Sequence, residues 1–168
     1  DLKSQLLIGI IEKYLPDLDD YESFRKARND TILNFSSDST QSVDYEDKKI
    51  AVNQKNLEIR DYVPTDIQTN KIMLYFHGGG YFAGSIKSHK NFVSIVSQKS
   101  NLVTYFFEYR LSPEHNFPAA HEDAKIAIEF IDNLHKDEQS IWMGESAGGG
   151  LATGLAVDDG FVHNPDNL

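Results

Sequence analysis

Ile141-Trp142-Met143-Gly144-Glu145-Ser146-Ala147-Gly148-Gly149-Gly150-Leu151 is the stretch on which the reading of this sequence turns. Three apolar residues run into the pattern G-x-S-x-G, and a run of mostly small residues follows. The pattern predicts a strand over residues 140–143, a tight turn, and a helix over 146–157. Such a turn lifts a serine hydroxyl clear of the sheet, and a side chain at either flanking glycine would collide with backbone. The new helix aims its N-terminus, the positive end of its dipole, at the same spot. Ser146 is therefore the candidate nucleophile. At average residue frequencies the five-residue pattern arises by chance about 0.05 times in a chain of this length. A dinucleotide-binding loop fits less well. Gly148-Gly149-Gly150 falls inside the predicted helix rather than before it, and no acidic residue ends a following strand.

Outward from that turn, a hairpin is followed by strands alternating with helices. Residues 49–52 and 57–63 predict a strand pair joined by a turn at 53–56. Residues 72–76 are apolar throughout, as in a strand buried on both faces, and 102–107 predict another. One helix is predicted over 88–100, carrying Phe92, Val93 and Val96. Another starts at Pro118 with Ala120, Ala124, Ala127, Ile131 and Leu134 as its apolar face. The order defines an α/β fold with a mostly parallel central sheet flanked by helices. Ahead of it, Leu2, Leu6, Leu7, Ile10, Ile11, Tyr14 and Leu15 recur at helical spacing until Pro16. A second, weaker helix is predicted over 20–33, with Tyr21, Phe24 and Ala27 inward. The polar stretch 36–47 reads as a linker. Two units result: a helical arm with its linker, 1–45, and the α/β body, 46–168.

His77-Gly78-Gly79-Gly80 follows the apolar strand at 72–76. Acyl transfer builds negative charge on an oxygen, and a glycine-rich loop can offer it backbone N–H groups without side-chain hindrance. Loops of this type partner the G-x-S-x-G turn in lipases and esterases. Gly84 is followed by Ser85 rather than by the Lys-Ser/Thr pair that finishes a phosphate-binding loop. Three blocks then carry a family likeness: His77-Gly78-Gly79-Gly80-Tyr81-Phe82-Ala83-Gly84-Ser85, Tyr109-Arg110-Leu111-Ser112-Pro113-Glu114-His115 with Phe117-Pro118-Ala119-Ala120, and Gly144 to Gly149. On these blocks the chain resembles the hormone-sensitive-lipase-like esterases of the α/β-hydrolase superfamily. The resemblance implies an α/β-hydrolase fold whose N-terminal helices form a cap over the active site. It implies a serine carboxylesterase acting on small to medium acyl esters, with no cofactor and no metal. Ser146 would be the nucleophile, and the N–H groups of Gly78, Gly79 and Ala147 would form the oxyanion hole. Glu145 would support the turn. Tyr109, Arg110 and Glu114 would pin the middle block, with Arg110 against a buried carboxylate. Gly150 stands where the family usually has Asn, which loosens the helix start.

A serine hydroxyl needs a base to take its proton and a carboxylate to orient that base. In this superfamily they follow the serine in the order Asp or Glu, then His. After Ser146 the sequence offers Asp158, Asp159, His163 and Asp166. The predicted helix carries the chain about 17 Å away at 1.5 Å per residue. His163 returns only if the residues after the helix are almost fully extended, about 20 Å. The triad Asp and His are therefore expected beyond residue 168, and these 168 residues alone are expected to be inactive. Upstream, His77 belongs to the glycine loop, while His89 and His135 read as exposed helix residues. His115 and His121, with Glu114, Glu122 and Asp123, read as a hydrogen-bonded surface cluster rather than a metal site. Asp1 in place of Met suggests a processed, trimmed or partial chain, the N-terminal portion of an esterase. The sheet would then end on the strand before Ser146. Its open apolar edge suits a homo-oligomer or pairing with a C-terminal fragment.

Charge and composition narrow the rest. The chain has 26 acidic and 16 basic side chains, a formal net charge of -10. That field repels nucleic acid, and the densest basic run, Arg25, Lys26 and Arg28, is flanked by Glu22 and Asp30. Cysteine is absent, which excludes disulfides, a thiol nucleophile and Cys-ligated zinc, and suits a cytoplasmic location. The apolar run from Leu6 to Ile11 is too short for a transmembrane segment and lacks a signal-peptide cleavage pattern. Two rivals remain beside the esterase. One is a non-catalytic relative that binds a small ligand in the same pocket, as the plant gibberellin receptors of this superfamily do. The other is a truncated, inactive hydrolase.

Overall fold

A computed structural model describes residues 20–35, 44–52, 55–67 and 69–158. In chain order its elements are α1 (Tyr21–Phe35), β1 (Asp44–Val52), β2 (Lys55–Val63), β3 (Lys71–Phe76), α2 (Ile86–Ser100), β4 (Val103–Glu108), α3 (Ala119–Leu134), β5 (Gln139–Gly144) and α4 (Ala147–Asp158). The sheet order is β1-β2-β4-β3-β5. β4, β3 and β5 run parallel, and the β1–β2 hairpin adds to the far side of β4 in antiparallel fashion.

β3 is the hub, with residues 72–76 buried on both faces. The strand's period of two divides them. Ile72, Leu74 and Phe76 join Tyr105 and Phe107 in a cluster under α3 and α4, with Ala124, Ala127, Ile131 and Leu151. Tyr75 packs with Phe106 and Tyr62 on the opposite face, under Ile86 and Val93 of α2. The helix after β3 and the helix after β5 therefore lie on opposite faces of the sheet. A crevice opens at the C-terminal ends of two such neighbouring strands, the usual binding place in an open α/β sheet. Register makes the alignment specific: Phe76 pairs with Gly144, so His77-Gly78 and Glu145-Ser146 leave the sheet side by side.

The structure departs from the sequence expectations in three places. β1 begins at Asp44, inside the stretch read as a linker, so the 45/46 boundary falls within a strand. Tyr45 and Asp47 explain why: the Tyr45 ring lies under the Arg60 guanidinium, 4.4 Å away, and Asp47 takes two hydrogen bonds from it, at 2.5 and 2.7 Å. α2 starts earlier than expected because Ser85 caps it, its hydroxyl accepting from the Ser88 N–H at 3.0 Å. Ala27 and Leu134, expected to face inward, are exposed. As expected of the strand before Ser146, β5 has a single neighbour among the described strands, and Ile141 on it is 36% exposed. The helix expected between Leu2 and Leu15, and Asp159, His163 and Asp166, lie outside the described residues.

Candidate active site

The turn between β5 and α4 holds Ser146 at φ 53, a left-handed conformation that costs a non-glycine residue about 1–2 kcal/mol. Its side chain is exposed. Close packing beneath it enforces that conformation. A Cβ on Gly148 would collide with the backbone carbonyls of Phe76 and His77, and one on Gly144 would collide with Gly148. The first turn of α4 thus sits directly on the end of β3. Gly148 N–H donates to the Glu145 carbonyl at 2.9 Å and Gly150 N–H to that of Ser146 at 3.0 Å. Among the described residues the Ala147 N–H, first in the helix, has no acceptor.

Glu145 ties this turn to the glycine loop. Its Oε1 accepts from the Gly78 N–H at 2.6 Å and from His89 Nε2 at 2.9 Å, and its Oε2 from the Tyr75 hydroxyl at 2.6 Å. Burial pushes this carboxyl up, but the His89, Tyr75 and Gly78 donors outweigh it and hold the group below the ordinary carboxylate range. Glu145 is thus an ionised post between two loops.

This bond changes the expectation for Gly78. Its N–H, expected to face an oxyanion, is already given to Glu145. A trans peptide points its C=O and N–H in opposite directions, so each carbonyl's partner decides where the N–H faces. The 77–78 peptide is engaged at both ends, because the His77 carbonyl accepts from the Tyr109 hydroxyl at 2.5 Å. In the next two peptides only the carbonyls are held. Gly78 O accepts from His77 Nδ1 at 2.7 Å, and Gly79 O from the N–H groups of Phe82 and Ala83 at 3.2 and 3.0 Å. Among the described residues the Gly79 and Gly80 N–H groups have no acceptor. Gly79 sits at φ +116, and a Cβ there would strike the Ala83 carbonyl, so only glycine fits.

His77 is fully buried, its ring stacked on Tyr109 at 4.2 Å and on His89 at 5.4 Å. Burial pulls its pKa down to about 4, so it is neutral, with Nδ1 as donor to the Gly78 carbonyl. The middle block is pinned as expected. Arg110 makes paired bonds of 2.8–3.0 Å to Asp123, whose side chain is 2% exposed, and Glu114 takes both ends of the Arg25 guanidinium fork at 2.7 Å. His121 of the imagined surface cluster packs its ring near Tyr81 and Phe117.

His89 and His135 are corrections. His89 is 4% exposed and holds Glu145. His135 caps the end of α3, bonded to the Tyr105 hydroxyl at 2.6 Å and to Glu138. The signal for His89 was present: it shares helical spacing with Ile86 and Val93, the buried face of α2. No described imidazole is hydrogen-bonded to Ser146. No described group of three or more His, Asp or Glu side chains could hold a metal ion, and no described helix is long and apolar enough to cross a membrane.

A strained serine turn and a glycine loop at adjacent strand ends define the class, an α/β-hydrolase-type site. The family model for the alpha/beta hydrolase fold matches residues 73–161, and the chain belongs to that family, in its hormone-sensitive-lipase-like branch. The chain is 36% identical over 121 residues to an arylesterase of Saccharolobus solfataricus, covering 67% of this chain and 39% of that one. It is 31% identical over 115 residues to the versiconal hemiacetal acetate esterase of Aspergillus parasiticus, covering 66% and 37%. Among solved structures, a hyperthermophilic esterase from the archaeon Pyrobaculum calidifontis superposes with a TM-score of 0.78 at 27% identity, covering 95% of this chain and 54% of that one. The chain thus spans under half the length of these curated relatives.

Proposed function

We propose that the protein to which this chain belongs is a serine carboxylesterase for small to medium acyl esters. Ser146 Oγ attacks the ester carbonyl carbon while a histidine takes its proton. The carbonyl oxygen becomes an oxyanion and accepts hydrogen bonds from the N–H groups of Gly79, Gly80 and Ala147. The alkoxide leaves with the proton from that histidine, and water then releases the acid from the acyl-serine by the reverse proton path. The histidine and its carboxylate come from outside the described residues. One observation carries this reading: beside an exposed serine at positive φ, two successive peptides have held carbonyls and unengaged N–H groups. Such preorganised donors act on charge that develops only in the transition state. The names of the relatives, arylesterase and acetate esterase, support the same chemistry.

The test is hydrolysis of p-nitrophenyl acetate and butyrate by the complete gene product. Ser146→Ala should lower kcat at least a thousandfold. Turnover at the unsubstituted rate would overturn the assignment.

A further inference from the structure

The oxyanion loop is held from two sides, and only one of them belongs to the α/β body. On the outer side stands α1, more than forty positions earlier in the chain. Arg25 Nε donates to the Phe82 carbonyl at 2.6 Å, and its terminal nitrogens bond Ser112 O and both Glu114 oxygens at 2.7 Å each. Four of the five N–H donors of this guanidinium are thereby used, in a fork that no lysine can reproduce. The Phe24 ring stacks on that of Phe82 at 5.2 Å, 7° from parallel. Asn29 Oδ1 accepts the Gly84 N–H at 2.8 Å. The Ser112 N–H in turn donates to the Tyr81 carbonyl at 2.8 Å, so Arg25 also braces the loop's second support.

These contacts bear on the chemistry through one peptide. The carbonyl of the 79–80 peptide is held by the N–H groups of Phe82 and Ala83, and a trans peptide points its N–H, that of Gly80, the opposite way. The position of residues 82–84 therefore sets the direction of an oxyanion donor, and α1 sets the position of residues 82–84. We propose that Arg25 is a positioning residue for ester hydrolysis, acting through Phe82 to aim the Gly80 N–H, with Asn29 as its second anchor. The inference rests on the esterase reading and deepens it. The helix from the arm is a working part of the oxyanion hole's frame, not only a cover.

The experiment uses the complete gene product with Arg25→Met, Arg25→Lys and Asn29→Ala, beside Ser146→Ala. Three readouts are taken with p-nitrophenyl butyrate and a trifluoromethyl ketone inhibitor: kcat, KM and inhibitor Ki. Removing an oxyanion donor outright costs about a hundredfold or more in kcat, so misaiming one should cost about tenfold to a hundredfold. Arg25→Met is expected to lower kcat by that amount, to weaken the inhibitor in parallel, and to leave KM within about twofold. Arg25→Lys should recover only part of the loss. Asn29→Ala should show the same pattern more weakly, and it carries the test if Arg25→Met does not fold. A purely structural role would lower thermal stability without moving kcat and Ki together. Unchanged kcat in the folded variants, with activity lost in Ser146→Ala, overturns this proposal and leaves the esterase reading standing. Activity retained in Ser146→Ala overturns both.

Discussion

Glu145 stands between the two glycine loops, and its donors decide what Gly78 can contribute. Three hydrogen bonds converge on its carboxylate, from a backbone N–H, a tyrosine and a histidine. Burial raises the Tyr75 pKa, and the negative Glu145 beside it adds to the effect, so this hydroxyl stays a donor at any working pH. A hydrogen bond to a charged group contributes about 1.5–3 kcal/mol, more than enough to set the loop's position. Tyr75→Phe should therefore lower kcat about tenfold with KM nearly unchanged, because the Glu145 post loses one of its anchors. Steady-state kinetics on p-nitrophenyl butyrate checks this, and equal kcat values would detach the carboxylate from the rate.

At the scale of elements, the helix starts carry the site. The Ser85 hydroxyl caps α2, the helix that brings His89 to Glu145. Ser85→Ala should cost about 1 kcal/mol, read as a lower midpoint in urea unfolding with an unchanged slope. The elements legible in the sequence were those whose pattern is local. The apolar run of β3, the small-residue helix α4 and the G-x-S-x-G turn each declare themselves within a dozen residues. β1 did not, because Asp44 to Asp47 lie on an edge strand facing water, and their polar composition mimics a linker. The engagement of Gly78 was equally hidden, since it depends on a carboxylate 67 positions away. The same holds for Arg25, whose partners at Phe82 and Glu114 become neighbours only once the chain has folded.

Across the whole molecule, a buried His77 and a part-buried Glu108 pull stability in opposite directions with pH. Burial holds the His77 pKa at about 4, below the ordinary value of 6.5. The unfolded chain then takes up a proton that the fold refuses, so this contribution is present above pH 6.5 and is lost as pH falls through 4. Burial, together with the nearby Glu58, raises Glu108 to about 7 from 4.5, against the Ile86 N–H bond that opposes the shift. Here the fold keeps a proton that the unfolded chain releases. That contribution is present below pH 4.5 and is lost as pH rises through 7. Glu108→Gln removes the second effect alone. The Tm of Glu108→Gln minus that of the unsubstituted protein should therefore climb between pH 4.5 and 7, and a constant difference would contradict the burial assigned to Glu108. The esterase reading depends above all on Ser146. Its most direct test is to treat the complete gene product with a fluorophosphonate and map the adduct by mass spectrometry. One phosphonyl group is expected, on Ser146, and none in Ser146→Ala. An unlabelled protein, or a label on another residue, would contradict it.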